Sequence, residues 1–288
     1  MADPQIRILD APPATTTGEC PVWDGRTGHL WWIDIQRPTL HRVDVHGQRL
    51  ESWTLPEHIG SFALCRSGGL LVALRSGVHR FDPVSGALEL LVAPEPDRPR
   101  NRLNDGKASP EGRFLVGSMD DTDDKEAGAA LYSISADGSC RRLVDGLIIS
   151  NGLAWSPDGR TLWHSDTRHA RIWTADYDPE TGTIGPQREV AQVPNETGRP
   201  DGGATDVEGG YWSAGVSAGV LNRWLPDGTL DRQIKLPVKW PTMPCFGGPD
   251  MRTLYVTSLR KDGDGPIEGS LLELRMEVAG VPVGLFAD

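Results

Sequence analysis

The sequence predicts an all-β fold, a six-bladed β-propeller with four antiparallel strands per blade. Three observations predict it. A turn-plus-strand phrase recurs six times along the 288 residues. The segments after each turn are short, apolar and rich in β-branched or aromatic residues, which is strand chemistry. Helical periodicity is nearly absent. Aligning the turns at positions 25, 68, 112, 159, 209 and 251 gives steps of 43, 44, 47, 50 and 42 residues. A period of roughly 40–50 residues indicates a solenoid, propeller or array. Four-stranded sheets repeated around an axis leave only short, protected edges. A β-sandwich made of hairpins has no reason to repeat at this length.

The copies follow in order. Trp23-Asp24-Gly25-Arg26 precedes His29-Leu30-Trp31-Trp32-Ile33, and Arg66-Ser67-Gly68-Gly69 precedes Leu70-Leu71-Val72-Ala73-Leu74. Ser109-Pro110-Glu111-Gly112 precedes Arg113-Phe114-Leu115-Val116-Gly117, and Ser156-Pro157-Asp158-Gly159 precedes Thr161-Leu162-Trp163-His164. Asp206-Val207-Glu208-Gly209 precedes Gly210-Tyr211-Trp212-Ser213, and Gly248-Pro249-Asp250-Met251 precedes Thr253-Leu254-Tyr255-Val256-Thr257. A second hairpin follows in most units, turning at His46-Gly47, at Pro83-Val84-Ser85-Gly86, at Asp178-Pro179-Glu180-Thr181-Gly182 and at Pro226-Asp227-Gly228. The opening strand Gln5-Ile6-Arg7-Ile8-Leu9 is expected to complete the last blade, formed near 270–286, and so close the ring.

Composition narrows the function. Residues 1–288 read as one domain, with no Pro/Ser linker dividing them. A net charge of −11 argues against nucleic acid and anionic membranes, whose binding needs basic surface. No apolar stretch reaches membrane-spanning length, and Met1-Ala2-Asp3-Pro4 does not open a signal peptide. Cys20, Cys65, Cys140 and Cys245 form no C-x-x-C pair, which fits reduced thiols in a cytoplasmic protein. No protein partner is implied.

Several motifs invite chemistry that their context refuses. Gly215-Val216-Ser217-Ala218-Gly219 matches the nucleophile elbow, but that motif needs a strand-to-helix turn and a later His. All seven His lie at or before His169. His164 and His169 lack a zinc-protease frame and read as surface or structural. Asn195-Glu196-Thr197 matches a glycosylation sequon, which matters only in a secreted chain. The acidic run Asp120-Asp121-Thr122-Asp123-Asp124 lacks the Gly and distal Glu of an EF-hand loop. Most of it reads as a solvated loop.

The stronger signal is positional. Glu19, Asn151 and Asp201 stand just upstream of three repeated turns, six, eight and eight residues before the aligned position. That is the start of the expected innermost strands. Equivalent positions in different blades converge on one mouth of the central channel. Two carboxylates and an amide meeting there make an oxygen-rich cation site. Turn-capping Asp and Asn residues are the other reading of the pattern. Arg102-Leu103-Asn104-Asp105-Gly106-Lys107 occupies the same slot of the third unit. Arg102 could hold a developing oxyanion or a sugar oxygen, and Asn104 can both donate and accept. A salt bridge from Arg102 to an acidic neighbour is the alternative.

These phrases carry a resemblance. Gly18-Glu19-Cys20-Pro21-Val22-Trp23, Asn101 to Lys107, Ser150-Asn151-Gly152-Leu153-Ala154-Trp155-Ser156, Arg199-Pro200-Asp201-Gly202-Gly203 and Cys245-Phe246-Gly247-Gly248-Pro249-Asp250 span nearly the whole chain. They resemble, in the same order, the regucalcin, gluconolactonase and luciferin-regenerating-enzyme family of six-bladed propellers, and most of all its bacterial sugar lactonases. The resemblance implies that Glu19, Asn151 and Asp201 ligate one divalent metal. It implies that Arg102, Asn104 and Asp121 contact the substrate, and that Asp201 is the general base. The family often carries a bulkier residue where Gly203 stands.

The expected reaction is hydrolysis of a sugar-acid lactone, D-xylonolactone ahead of gluconolactone. Ester or organophosphate cleavage at the same metal, or a calcium-binding regulatory role, are the alternatives. Oxygen ligands do not select among Fe²⁺, Zn²⁺, Mn²⁺ and Ca²⁺.

Overall fold

The computed structural model describes residues 4–9, 14–44 and 49–288. Every regular element among them is a strand, and the strands form six antiparallel sheets. The sheets follow the chain: Gly18–Asp24 through Leu50–Thr54, Ile59–Leu64 through Leu88–Val92, Asn101–Ala108 through Cys140–Leu147, Ser150–Trp155 through Arg188–Gln192, and Pro200–Thr205 through Tyr211–Gly215 and Val220–Trp224 to Leu230–Lys235. The sixth holds Pro241–Gly247, Thr253–Ser258 and Leu272–Arg275, completed by Ile6–Ile8. The ring therefore closes as expected, with Ile6 opposite Leu274 and Ile8 opposite Leu272. The fourth blade carries an extra two-residue strand, Thr183–Ile184, on the far end of Arg171–Asp178. The turn at His46-Gly47 lies outside the described residues.

Burial follows strand position. The first strand of each blade is buried along most of its length, whereas outer strands such as Cys140–Leu147 are largely exposed. Apolar residues of neighbouring blades meet between the sheets, as Trp31, Phe62 and Val72 do between the first and second. Gly68, Gly112, Gly159 and Gly209 take positive φ in the repeated turns, which only glycine adopts freely. In the last copy Met251 takes that conformation at φ 55°.

The tail corrects one expectation. Beyond Arg275 the chain adds no strand to the last blade. It crosses the end of the channel away from the mouth instead, bonding Val281 N to Thr205 O at 2.9 Å and Phe286 N to Leu64 O at 2.8 Å. Phe286 is fully buried there among Cys65, Ala108 and Phe114.

All six innermost strands shift register near their start, after Glu19, Ile59, Leu103, Asn151, Pro200 and Pro241. A bulge re-aims side chains and is frequent beside active sites. Here it sets the geometry of the mouth.

Candidate active site

Glu19 and Asn151 are each the last paired residue before the bulge of their strand, and Asp201 is the first residue within its own. Asn104 holds the same place in the third blade as Asp201 does in the fifth. The bulges bring these residues from four blades to one end of the channel.

Asn151, Asp201 and Asn104 are buried, and Glu19 is half-buried. Asn151 Nδ2 donates to Asp201 Oδ1 at 2.8 Å and to Thr167 Oγ1 at 2.7 Å. Asn104 Nδ2 donates to Asn151 Oδ1 at 3.1 Å and to Ser150 O at 2.9 Å. Arg102 Nη1 donates to Asn104 Oδ1 at 2.9 Å, and its Nε donates to Asp121 Oδ1 at 3.1 Å. Arg75 pairs with the other Asp121 oxygen. An unbroken hydrogen-bonded run therefore links Asp121, Arg102, Asn104, Asn151 and Asp201. Arg102 is therefore salt-bridged to an acidic neighbour, the alternative the sequence allowed, at the start of the third blade's inner strand.

The electrostatics are those of crowded acids. Burial, then the charges of Asp201 and Asp105, push the Glu19 carboxyl well above the usual carboxylate range. Burial first and Asp105 second push Asp201 up to about 8, while Arg199 pulls the other way. Burial also raises Asp105, against the opposing charge of Lys107. Asp105 is the residue the sequence reading passed over. It stands between Asn104 and Gly106, and nothing in the residue pattern distinguishes it from its neighbours. Its Oδ1 is buried without a hydrogen-bond partner among the described residues. Lys107, equally buried, donates to Gly203 O across the channel.

Among the described residues no three His, Cys, Asp or Glu side chains form a cluster that could hold a metal. The sequence-expected set contains only two acids, its third member being an amide. Its donor chemistry fits a hard divalent cation. All donors are oxygens, the Asn151 carbonyl keeps a second lone pair beyond the Asn104 contact, and both acids are raised first by burial and then by neighbouring negative charge, which a cation would offset. A cavity of about 360 Å³ opens at the Arg102 end of the hydrogen-bonded run, lined by Arg75, Glu95, Arg98, Asn101 and Arg102 and not by Glu19, Asn151 or Asp201. That is the size range of small-ligand sites.

The other motifs resolve differently. Asp120 is not a solvated loop residue: it is 2% exposed and accepts from Thr122 N at 3.0 Å, Glu126 N at 2.8 Å and Arg100. Asp123 and Asp124 are exposed. His164 is buried, with Nε2 2.9 Å from Ser150 Oγ, so it is structural and not on the surface. Ser217 lies in the turn after the second strand of its blade, where its Oγ accepts from Arg199 N at 2.9 Å. No helix among the described residues is long and apolar enough to cross a membrane. All four cysteines are free.

Residues 17–260 match the family described as the SMP-30/gluconolactonase/LRE-like region. The chain belongs to this family. Among its relatives, a 6-deoxy-6-sulfogluconolactonase of Pseudomonas putida is 39% identical over 94% of this chain and 94% of its own length. An L-arabinolactonase of Azospirillum brasilense is 32% identical over 97% of this chain and 95% of its own. The solved structure of a calcium-binding protein, regucalcin, from Agrobacterium tumefaciens superimposes with a TM-score of 0.91 at 30% identity, covering 99% of this chain and 97% of that one. The resemblance to this family leads to the expectation of a bulkier residue where Gly203 stands. A Cβ there would meet Tyr211 Oη at 2.4 Å. The buried Tyr211 ring fills the space a bulkier residue would need.

Proposed function

We propose that this chain is a divalent-metal-dependent sugar lactonase that opens an aldonolactone to its aldonic acid. The observation that carries the reading is the hydrogen-bonded run from Arg102 through Asn104 and Asn151 to Asp201, set beside a cavity of ligand size. The lactonases among its relatives, similar over nearly their whole length, support it.

Glu19, Asn151 and Asp201 would hold the cation. When bound, it supplies Lewis acidity at the lactone carbonyl oxygen, where negative charge develops. Asp201 Oδ1 is occupied by the Asn151 amide, which leaves Oδ2 to take a proton from the attacking water. The same carboxyl returns it to the ring oxygen as that oxygen leaves as a hydroxyl. Arg102 and Asn104 orient the sugar hydroxyls. Asp121 holds Arg102 in place from behind and shares it with no other acid among the described residues.

The finer expectation is a pentonolactone, D-xylonolactone first. The test is acid release from D-xylonolactone, L-arabinolactone and gluconolactone, with chelator treatment and add-back of Fe²⁺, Zn²⁺, Mn²⁺ and Ca²⁺. Metal-dependent turnover of any lactone supports the reading. Cation binding without turnover of any of them would leave a regulatory calcium-binding role in its place.

A further inference from the structure

Arg102 is the residue expected to hold an oxyanion or a sugar oxygen, yet two of its three guanidinium nitrogens are already engaged. Nε pairs with Asp121, and Nη1 donates to both Asn104 Oδ1 and Leu103 O. A second arginine occupies the equivalent place. Arg102 immediately precedes Leu103, the last paired residue before the bulge of the third blade. Arg199 immediately precedes Pro200, which holds that position in the fifth. The two arginines thus approach one mouth from blades on either side of Asn151.

Arg199 differs from Arg102 in having no side-chain hydrogen bond or ion pair among the described residues. Its Nε is buried and unsatisfied. A buried donor without a partner is costly, and a guanidinium offers a fork suited to carboxylate. Its backbone is fixed: Arg199 N donates to Ser217 Oγ, Arg199 O accepts from Val216 N at 3.1 Å, and Pro200 follows. Its charge is felt by Asp201, two residues on. The charged groups around this region are five acids, Glu19, Glu95, Asp105, Asp121 and Asp201, and five bases, Arg75, Arg98, Arg102, Lys107 and Arg199. Ionised, they cancel. A bound divalent cation therefore leaves a surplus of positive charge at the mouth, available to an anion.

We infer that Arg199 binds the anion that lactone opening creates, first the oxyanion and then the product carboxylate. The inference rests on the lactonase reading. In the reaction, the water oxygen bonds to the carbonyl carbon and the ring C–O bond breaks. The ring oxygen takes one proton, and the acid formed releases the other. A neutral substrate thus becomes an anionic product, and the site must hold negative charge throughout. Arg199 is the free fork placed to do so. Ser217, the centre of the misplaced elbow motif, serves as its backbone anchor.

The test uses the cation-loaded full chain. Binding of an aldonate and of the neutral alditol of the same carbon length is measured by calorimetry, alongside hydrolysis of the matching lactone. Arg199→Gln is expected to weaken aldonate binding about tenfold or more, the scale of a charge-assisted hydrogen bond, and to change alditol binding much less. Arg199→Lys restores part of the aldonate affinity, because it keeps the charge and loses the fork. Lactone kcat/KM falls with the aldonate affinity. Equal losses for aldonate and alditol, or no loss for aldonate, overturn the inference while wild-type lactonase activity stands. Failure of the wild type to open any lactone overturns the lactonase reading itself.

Discussion

Asn151 Nδ2 donates to Asp201 Oδ1 at 2.8 Å, joining two blades through residues 50 apart in the chain. The same amide offers its Oδ1 to Asn104. One side chain thus touches both the proposed base and the proposed substrate-binding run. Any movement of the fourth inner strand relative to its neighbours disturbs both.

Removing a ligand from the proposed centre should abolish most activity. Glu19→Gln and Asp201→Asn keep size and remove charge. Each is expected to lower kcat/KM by about 100-fold or more, the scale for losing one oxyanion-stabilising group, and to weaken cation binding in a direct titration. Asp201→Asn also removes the base. Near wild-type hydrolysis by either variant in chelator-treated buffer would sink the scheme.

The acids also predict how stability depends on pH. Asp201 is held at about 8 by burial and then Asp105, and Glu19 is raised in the same way. An unfolded carboxyl titrates near about 4. Between these values the native metal-free protein binds more protons than the unfolded chain. This contribution is full below about pH 4 and is lost as pH rises toward about 8. His164 acts oppositely: burial pushes it down to about 4, so its contribution is lost as pH falls below its ordinary 6.5. The interval from about pH 6.5 to 8 therefore isolates the acids. Melting of chelated protein should drop across it, by at most about 1.4 kcal/mol per pH unit per proton. Saturating cation should flatten the profile, since the cation replaces the proton. A chelated protein whose melting temperature is level or rising through this interval contradicts the account.

The blades, their order and the ring closure were legible because backbone turns repeat in the sequence. The positions of Glu19, Asn151 and Asp201 were legible for the same reason. Their offsets of six, eight and eight were not equivalences, however. Asp201 aligns in the ladder with Asn104, one place beyond Asn151. A bulge adds a residue to one strand only, and no residue type marks it. Asp105 and Arg199 were hidden because their importance lies in one buried atom left without a partner, Asp105 Oδ1 and Arg199 Nε, and that is a property of the folded neighbourhood. Asp120 misled because an acidic run reads as solvated, although backbone amides of the following loop converge on its carboxylate.

Gly203 should tolerate no side chain. Its missing Cβ lies 2.4 Å from Tyr211 Oη and 2.5 Å from Tyr211 Cε2. Tyr211 cannot retreat easily: its hydroxyl donates to Gly152 O at 2.8 Å, and its ring stacks on Trp163 at 4.7 Å between centroids. Gly203→Ala must therefore move the strand that carries Asp201. The expected cost is about 1–3 kcal/mol, as for overpacking a core, read by denaturant unfolding. Activity per folded molecule should fall as well. Full stability together with full activity would show that the strand yields without consequence.

The C-terminal tail separates stability from chemistry. Ile6–Ile8 closes the ring within one blade, whereas residues 279–287 tie several blades together. Val207 N bonds Ala279 O, Val281 N bonds Thr205 O, Phe286 N bonds Leu64 O, and Ala287 N bonds Gly112 O, each at 2.8–2.9 Å. The fit is close, since a Cβ on Gly284 would meet Ser109 O at 1.9 Å. Phe286 is the apolar centre of this crossing, fully buried and far along the channel from the mouth residues. Phe286→Ala removes its packing and leaves a cavity, at an expected cost of about 3–5 kcal/mol. Lactone hydrolysis per folded molecule, measured well below the melting transition, should match the wild type. Removing residues 1–9 should also lower the melting temperature, through the lost pairing with Leu272–Arg275. A Phe286→Ala protein that melts with the wild type would mean the tail merely lies on the propeller. One that melts normally but loses activity would mean the far end of the channel belongs to the site.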